Sequence, residues 1–172
     1  MKTALGSKAI PLFSESSAHQ VHITWSESGK PILEGMGLEA TETSLSHDDR
    51  ICMCIVGQGP QGCDIAPVTP RTREDWLSLI TLGQSSLLDQ LVHSNGDSVD
   101  VAGTRIWSAM EALYKAVDPS QTGDRTLTIE QQNKDSVLFQ GMVAGQSLYV
   151  LTFPIRLTRG PQRVVALTVT KN

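Results

Sequence analysis

The sequence has few cysteines, few aromatic residues and no long apolar run, and each shortage excludes a class of protein. Three cysteines among 172 residues are too few for the disulfide framework of a small secreted domain. Gly6 and Lys8 interrupt the apolar residues at the start of the chain, which argues against a signal peptide. We therefore expect a cytoplasmic protein in a reducing compartment that does not associate with membranes.

The charge is also modest, with a formal net charge of −4 and no cluster of lysine and arginine. A nucleic-acid binder would neutralise phosphates with such a cluster, so this class is excluded. The chain is 40% hydrophobic and 19% charged, which is typical of a globular protein, and its length suits one domain. We expect a serine-rich flexible arm or linker at residues 1–18 and one domain at residues 19–172.

The hydrophobic pattern predicts an α+β fold, in which an antiparallel sheet packs against a long central helix in a single lobe. Helical spacing of Ile106, Ala109, Leu113 and Val117 predicts a long helix that begins at about residue 99 or 102 and ends at residue 117. Thr72 has the form of a helix N-cap, and a second short helix is expected at residues 86–92, followed by a loop. Alternating patterns predict strands at residues 21–25, 51–56, 62–65, 126–131, 137–141, 148–156 and 164–170.

Two of these strands, at residues 51–56 and 62–65, are joined by a short loop rich in glycine and proline. This pattern predicts a hairpin whose second strand carries Asp64. Cys52 and Cys54 in the first strand allow two interpretations. With His47 they could form a zinc site, or they are small buried side chains in a strand that is apolar on both faces, which we favour.

The residues that could carry chemistry are an acid and a base on the long helix. Glu111 and Lys115 are one helical turn apart, a spacing that in most proteins gives only a solvated surface pair. Asp64 follows a glycine-rich turn, so it could meet a helix carboxylate across a cleft. Two carboxylates with few other ligands suit Mg²⁺, which keeps water and substrate phosphates in its shell.

Four phrases in order along the chain carry a family resemblance. They are Gly29-Lys30-Pro31, Leu45-Ser46-His47, Gly62-Cys63-Asp64 and the helix segment Trp107 to Lys115. Read together, they resemble the motif series of the 4′-phosphopantetheinyl transferases, in particular the transferase domains fused to iterative polyketide synthases. The resemblance covers the chain from about residue 20 to the C-terminus and implies a fold like that of this family.

The resemblance implies a function and a set of roles. Such enzymes transfer the phosphopantetheine arm of coenzyme A to a serine of an acyl carrier protein and release 3′,5′-ADP, here for polyketide or lipid synthesis. Asp64 and Glu111 would bind Mg²⁺, Glu111 and Lys115 would be catalytic, and Lys30, His47 and Lys115 would contact coenzyme A. Gly-Lys-Pro is equally an ordinary turn. The alternative function is a catalytically silent domain that binds a carrier or organises a synthase.

The chain departs from the family pattern at several positions. Ala66 stands where many members have a third acid, so water could complete the metal shell, and Met110 replaces a common lysine. Asp48 and Asp49 follow His47, and either would oppose phosphate binding if it pointed inward. The region before Gly-Lys-Pro is also too short for a first lobe, so we expect either a homotrimer or a domain of a larger synthase. Trp107 and Tyr114 are expected to pack in the interior.

Overall fold

The computed structural model describes residues 22–27, 29–35, 41–49, 51–80, 84–117, 126–143 and 145–170. The predicted arm at residues 1–18 lies outside these ranges. In chain order the elements are β1 (His22–Trp25), β2 (Pro31–Glu34), β3 (Thr41–Asp48), β4 (Ile51–Gln58), β5 (Cys63–Pro67), α1 (Arg73–Leu79), α2 (Ser85–Gln90), a π-helical turn (Leu91–Asn95), α3 (Val99–Ala116), β6 (Thr126–Gln132), β7 (Val137–Val143), β8 (Gln146–Arg156) and β9 (Gln162–Val169).

The largest sheet is antiparallel and has the strand order β5-β9-β8-β7-β6. The four strands predicted near the C-terminus are all present in it. Two further antiparallel pairs, β1–β2 and β3–β4, form separate two-stranded sheets. Helix α3 packs against the large sheet, so the described residues form a mixed α and β structure of antiparallel sheets and one long helix, as predicted.

Helix α3 forms the centre of the core along the face that the sequence predicts. Ile106, Ala109 and Leu113 are fully buried there. The helix begins after Ser98, whose side chain accepts a hydrogen bond from the Val101 amide as an N-cap. Gly62 lies so close to the last turns of the helix that a Cβ there would come 1.8 Å from the Ala112 carbonyl oxygen. This contact positions β5 directly beside the C-terminal half of α3.

The predicted hairpin of residues 51–56 and 62–65 is wrong, although both strands exist. β4 pairs with β3, whereas β5 pairs with β9 of the large sheet. The glycine and proline loop therefore carries the chain from one sheet to another. β5 is an edge strand, yet Cys63, Asp64 and Ile65 are all buried, because α3 packs on it and serines of β3 accept hydrogen bonds from the amides of its open edge.

A buried ion pair anchors the first half of α3 to the sheet. The Arg105 side chain is completely buried, and its Nε donates to Asp97 Oδ2 at 2.8 Å. One terminal nitrogen donates to the carbonyl oxygen of Thr152 at 3.0 Å. Because every partner is part of the folded core, this arginine links the helix to β8 and to the segment that precedes the helix.

The short helices follow the predicted positions closely. Thr72 caps α1, and its side chain and that of Asp75 form a reciprocal capping box. The predicted loop at residues 93–97 begins instead as a π-helical turn, which ends at Gly96 with a left-handed φ of 72°. Among the described residues, no helix has both the length and the apolar composition needed to cross a membrane.

Candidate active site

A cleft with a volume of about 270 Å³ lies between the β1–β2 turn, β3 and the last turns of α3. Three of the four motif phrases contribute to its wall. The lining residues are Gly29, Lys30, Pro31, Ser44, Leu45, Glu111, Tyr114, Lys115 and Val117. Residues that are distant in sequence are therefore brought to one concave surface.

The remaining phrase, Gly62-Cys63-Asp64, contacts this surface through the side chain of Lys115. Its Nζ donates to Asp64 Oδ1 at 3.0 Å and to the carbonyl oxygen of Cys63 at 3.1 Å. Ser46 Oγ donates to the same Asp64 oxygen at 3.0 Å and accepts from the Ile65 amide at 3.2 Å. Asp64 thus connects β3, β5 and α3, and it contacts Lys115, one of the two helix residues that the sequence singled out.

Ser46 is a functional candidate that sequence reasoning did not assign. Its phrase was noted for His47, but the serine is buried and makes the contact to Asp64. The alternating pattern of β3 contains the signal. Ser44 and Ser46 lie on one face of the strand, toward β5, and both accept hydrogen bonds from β5 amides.

The second oxygen of Asp64 has no such contact. Asp64 is 7% exposed, and its Oδ2 is buried and accepts no hydrogen bond from the described residues. A buried carboxylate oxygen without a partner costs free energy, so this atom is suited to a cation. No group of three or more His, Cys, Asp or Glu residues in the described ranges is arranged to bind a metal. Mg²⁺ needs only one or two protein carboxylates, because water and phosphate oxygens supply its remaining ligands.

Lys30 lies in the cleft wall at the end of the β1–β2 turn. The Ser26 amide donates to the Lys30 carbonyl, and Gly29 adopts a left-handed φ of 80°, as a tight turn requires. The Lys30 ammonium group contacts Glu42 Oε2 at 2.7 Å. The two interpretations of Gly-Lys-Pro, an ordinary turn and a contact of coenzyme A, are therefore compatible. The segment forms an ordinary turn, and this turn places a lysine in the cleft wall.

His47 is placed differently from the other predicted ligands of coenzyme A. Its side chain is exposed, it lies on the opposite face of β3 from Ser46, and it is not among the cleft-lining residues. Across the β3–β4 ladder it stands directly opposite Cys52. The expectation that Cys52 is buried is wrong, because this end of the hairpin turns that face toward solvent; Cys54 is half-buried.

Cys63 is a small packing residue. It is fully buried, and its amide donates to Ser44 Oγ at 3.1 Å. Burial raises the pKa of the Cys63 thiol above its ordinary value. The thiol therefore remains protonated at neutral pH, and we assign it no role as a nucleophile.

The two aspartates that could have opposed phosphate binding do not line the cleft. Asp48 Oδ2 accepts a hydrogen bond of 2.5 Å from Arg163 Nε, and both side chains are largely buried. Asp49 is exposed in the β3–β4 turn, with a positive φ of 33°. The Asp48 charge is therefore neutralised by Arg163, outside the cleft.

The two aromatic residues of α3, Trp107 and Tyr114, differ in how deeply they are buried. Trp107 is half-buried against the core, as expected, and so is Met110. Tyr114 is 46% exposed and lines the cleft, so the expectation that it packs in the interior is wrong. Its position three residues after Glu111 puts both side chains on the cleft side of the helix.

Compared with family models and with curated proteins, the chain matches none. The functional interpretation therefore depends on the arrangement of residues in the cleft. The cleft wall contains the ammonium groups of Lys30 and Lys115 and the carboxylate of Glu111. Asp64 is not a lining residue, but it contacts the wall through Lys115. This combination is suited to a ligand that carries phosphate groups and a divalent cation.

Proposed function

We propose that this chain is a Mg²⁺-dependent 4′-phosphopantetheinyl transferase with the single-lobe fold of that family. It transfers the phosphopantetheine arm of coenzyme A to a serine of an acyl carrier protein or carrier domain and releases 3′,5′-ADP. The acceptor carriers belong to polyketide or lipid biosynthesis. The observation that supports this proposal most strongly is the contact of Lys115, in the cleft wall, with Asp64, which brings the Gly62-Cys63-Asp64 phrase to the other three.

The proposed reaction is a phosphoryl transfer that uses residues of this cleft. The oxygen of the carrier serine forms a bond to the phosphorus that bears pantetheine, and the phosphoanhydride P–O bond breaks. The electron pair of that bond leaves with 3′,5′-ADP, and the serine proton passes to Glu111 or to a water molecule that Glu111 orients. Lys115 stabilises the departing phosphate with its ammonium group.

Asp64 and Glu111 would bind the metal ion. When bound, Mg²⁺ offsets the negative charge on the diphosphate oxygens. Lys115 and Ser46 both contact Oδ1 of Asp64, so they orient the carboxylate and leave Oδ2 for a further ligand. The same two contacts keep the Asp64 side chain in one position while ligands enter and leave.

Lys30 and His47 are both proposed to contact coenzyme A, but the two proposals are not equally well supported. Lys30 lies in the cleft wall, where its charge can reach a phosphate if it exchanges its partner Glu42. That exchange is inexpensive because both side chains are partly exposed. His47 lies outside the cleft wall, so its proposed contact depends on the resemblance alone.

Intact-mass analysis of an apo carrier protein incubated with the chain, coenzyme A and MgCl₂ tests this function. Asp64→Ala and Glu111→Gln test the proposed site, and Glu74→Gln on exposed α1 is a matched control for the loss of a carboxylate. We expect the mass of one phosphopantetheine to be added by the wild type and by Glu74→Gln only. No addition to any of several polyketide and fatty-acid carriers would overturn the proposal.

A second candidate function is a catalytically silent domain that binds a carrier protein. It is favoured by the ion pairs that neutralise both lysines of the cleft, Lys30 with Glu42 and Lys115 with Asp64. Such a domain would bind an apo carrier tightly and transfer nothing with either Mg²⁺ or Mn²⁺. The same carriers, measured by calorimetry and by intact mass, separate the two functions.

A further inference from the structure

Two aromatic side chains are unusually exposed, and both belong to elements that form the cleft. Among the aromatic residues in the described ranges, only Trp25 and Tyr114 are classed as exposed, at 60% and 46%. Tyr114 lines the cleft from α3. Trp25 is in β1, the strand that leads into the Gly29-Lys30-Pro31 turn. Exposing an indole to water is unfavourable, so a ligand that covered it would gain free energy from its burial.

The register of the β1–β2 hairpin places Trp25 beside Pro31 of the cleft wall, although Trp25 is not itself a lining residue. Trp25 is directly opposite Pro31 in the antiparallel ladder, so the two side chains lie on the same face of the hairpin. Pro31 is buried and lines the cleft. β2 packs on β3, whereas Trp25 on β1 extends beyond this contact. The indole therefore lies next to the cleft wall, with most of its surface open.

The chemistry around Trp25 indicates a ligand that is aromatic at one end and anionic at the other. Lys30, one residue before Pro31, and Lys115 on the facing helix provide the cations of the cleft. A flat base can stack on an indole while the phosphates of the same molecule contact the lysines. A ligand with both features is a nucleotide.

We infer that Trp25 is a stacking platform for the purine ring of a nucleotide whose phosphates bind at Lys30 and Lys115. The identity of this nucleotide as the adenosine bisphosphate half of coenzyme A rests on the proposed function; the stacking site itself does not. Trp25 positions the ligand through its base and takes no part in the transfer of the phosphoryl group. The residue therefore contributes to the affinity and selectivity for ligands that contain a base.

Paired binding measurements on the full chain test this inference. The probes are 3′,5′-ADP, which has a base, and inorganic pyrophosphate, which has none, both titrated calorimetrically in buffer with MgCl₂. Trp25→Ala removes the platform and Trp25→Phe retains an aromatic ring. Ile23→Ala is the matched control, because Ile23 is exposed on the same face of β1 but stands opposite Leu33 rather than Pro31.

We expect Trp25→Ala to weaken the binding of 3′,5′-ADP about tenfold, as loss of one base-stacking contact should, and to change pyrophosphate binding less than twofold. Trp25→Phe should lie between the wild type and Trp25→Ala, and Ile23→Ala should resemble the wild type. Equal weakening of both probes by Trp25→Ala, or an equal effect of Ile23→Ala, would overturn the inference. So would weaker binding of a carrier protein with unchanged binding of 3′,5′-ADP, since Trp25 would then dock a protein partner.

A transfer assay on the same wild-type sample separates this inference from the proposed function. Selective loss of 3′,5′-ADP binding in Trp25→Ala, without transfer by the wild type, would support the stacking site and contradict the transferase. Transfer by the wild type, with 3′,5′-ADP affinity unchanged in Trp25→Ala, would contradict only the stacking site.

Discussion

Lys115 Nζ lies 3.0 Å from Asp64 Oδ1, and this contact joins the last turn of α3 to the edge strand β5. The lysine side chain is 29% exposed and the aspartate side chain 11%, so the pair stands between the core and the cleft. Such a pair is more strongly coupled than one on the open surface. Asp64 and Lys115, two of the residues proposed to act in the reaction, are therefore held together by an ion pair that also fixes α3 against β5.

The hydrogen bond from Ser46 to Asp64 gives the first prediction. Ser46→Ala should lower the free energy of unfolding by about 1–2 kcal/mol and reduce transfer several-fold, because the Ile65 amide and Asp64 both lose a partner. The measurements are urea unfolding and the initial rate of carrier modification.

Ser44→Ala is the matched control for this prediction. It removes the hydroxyl that accepts from the Cys63 amide, on the same face of β3, without touching Asp64. Both variants should therefore lose stability, Ser44→Ala less because it removes one of these hydrogen bonds rather than two, and the loss of activity should be greater in Ser46→Ala. Equal activities would contradict a positioning role for Ser46.

The buried Arg105–Asp97 pair gives a prediction about stability. Arg105→Leu should destabilise the fold by about 3–5 kcal/mol, because Asp97 and the Thr152 carbonyl lose their partner inside the core. The midpoint of urea denaturation measures this change. Arg73→Leu, which removes the exposed pair with Asp89, should shift the midpoint far less. Similar shifts in the two variants would show that the buried Arg105 pair stabilises the fold no more than the exposed Arg73 pair does.

The Cys63 thiol gives a prediction about pH. Because burial raises the thiol pKa in the folded state, the unfolded chain loses this proton at lower pH than the folded chain. The contribution of Cys63 to stability is therefore fully present below about pH 8.5, the ordinary thiol pKa, and is lost as the pH rises through the higher folded-state pKa. Urea titrations from pH 7 to pH 10 should show stability falling above about pH 8.5.

Cys63→Ala removes the titrating group and should make the decline between pH 8.5 and pH 10 shallower. Cys52→Ala is the control, because the Cys52 side chain is exposed. An unchanged slope in Cys63→Ala would show that another group causes the decline.

Much of the fold could be predicted because its elements have strong local patterns. The helical spacing from Ile106 to Val117 and the alternation in the last four strands are formed by residues that face one core. The capping box at Thr72 and Asp75 is also a local feature. β3 was missed because Thr41–Asp48 is mostly polar, and its buried serines Ser44 and Ser46 form their hydrogen bonds with residues of β5.

The partner of β5 was mispredicted for a related reason. A short loop with glycine and proline favours a hairpin locally, whereas the true partner β9 lies about a hundred residues further along the chain. At the site, motif order identified Lys30, Glu111 and Lys115 as residues of one cleft. The contacts of Ser46 with Asp64 and of Lys30 with Glu42 depend on how separate sheets pack together, which no local pattern contains.

The most direct test of the proposed function is to quantify both products of a single reaction. The chain is incubated with coenzyme A, MgCl₂ and a limiting amount of apo carrier protein, and 3′,5′-ADP and modified carrier are measured over time. We predict equal molar amounts of the two at every time point, and neither product when the acceptor serine of the carrier is replaced by alanine. Release of 3′,5′-ADP without modified carrier, or no product with any carrier, would contradict the assignment of this cleft as a phosphopantetheinyl transferase site.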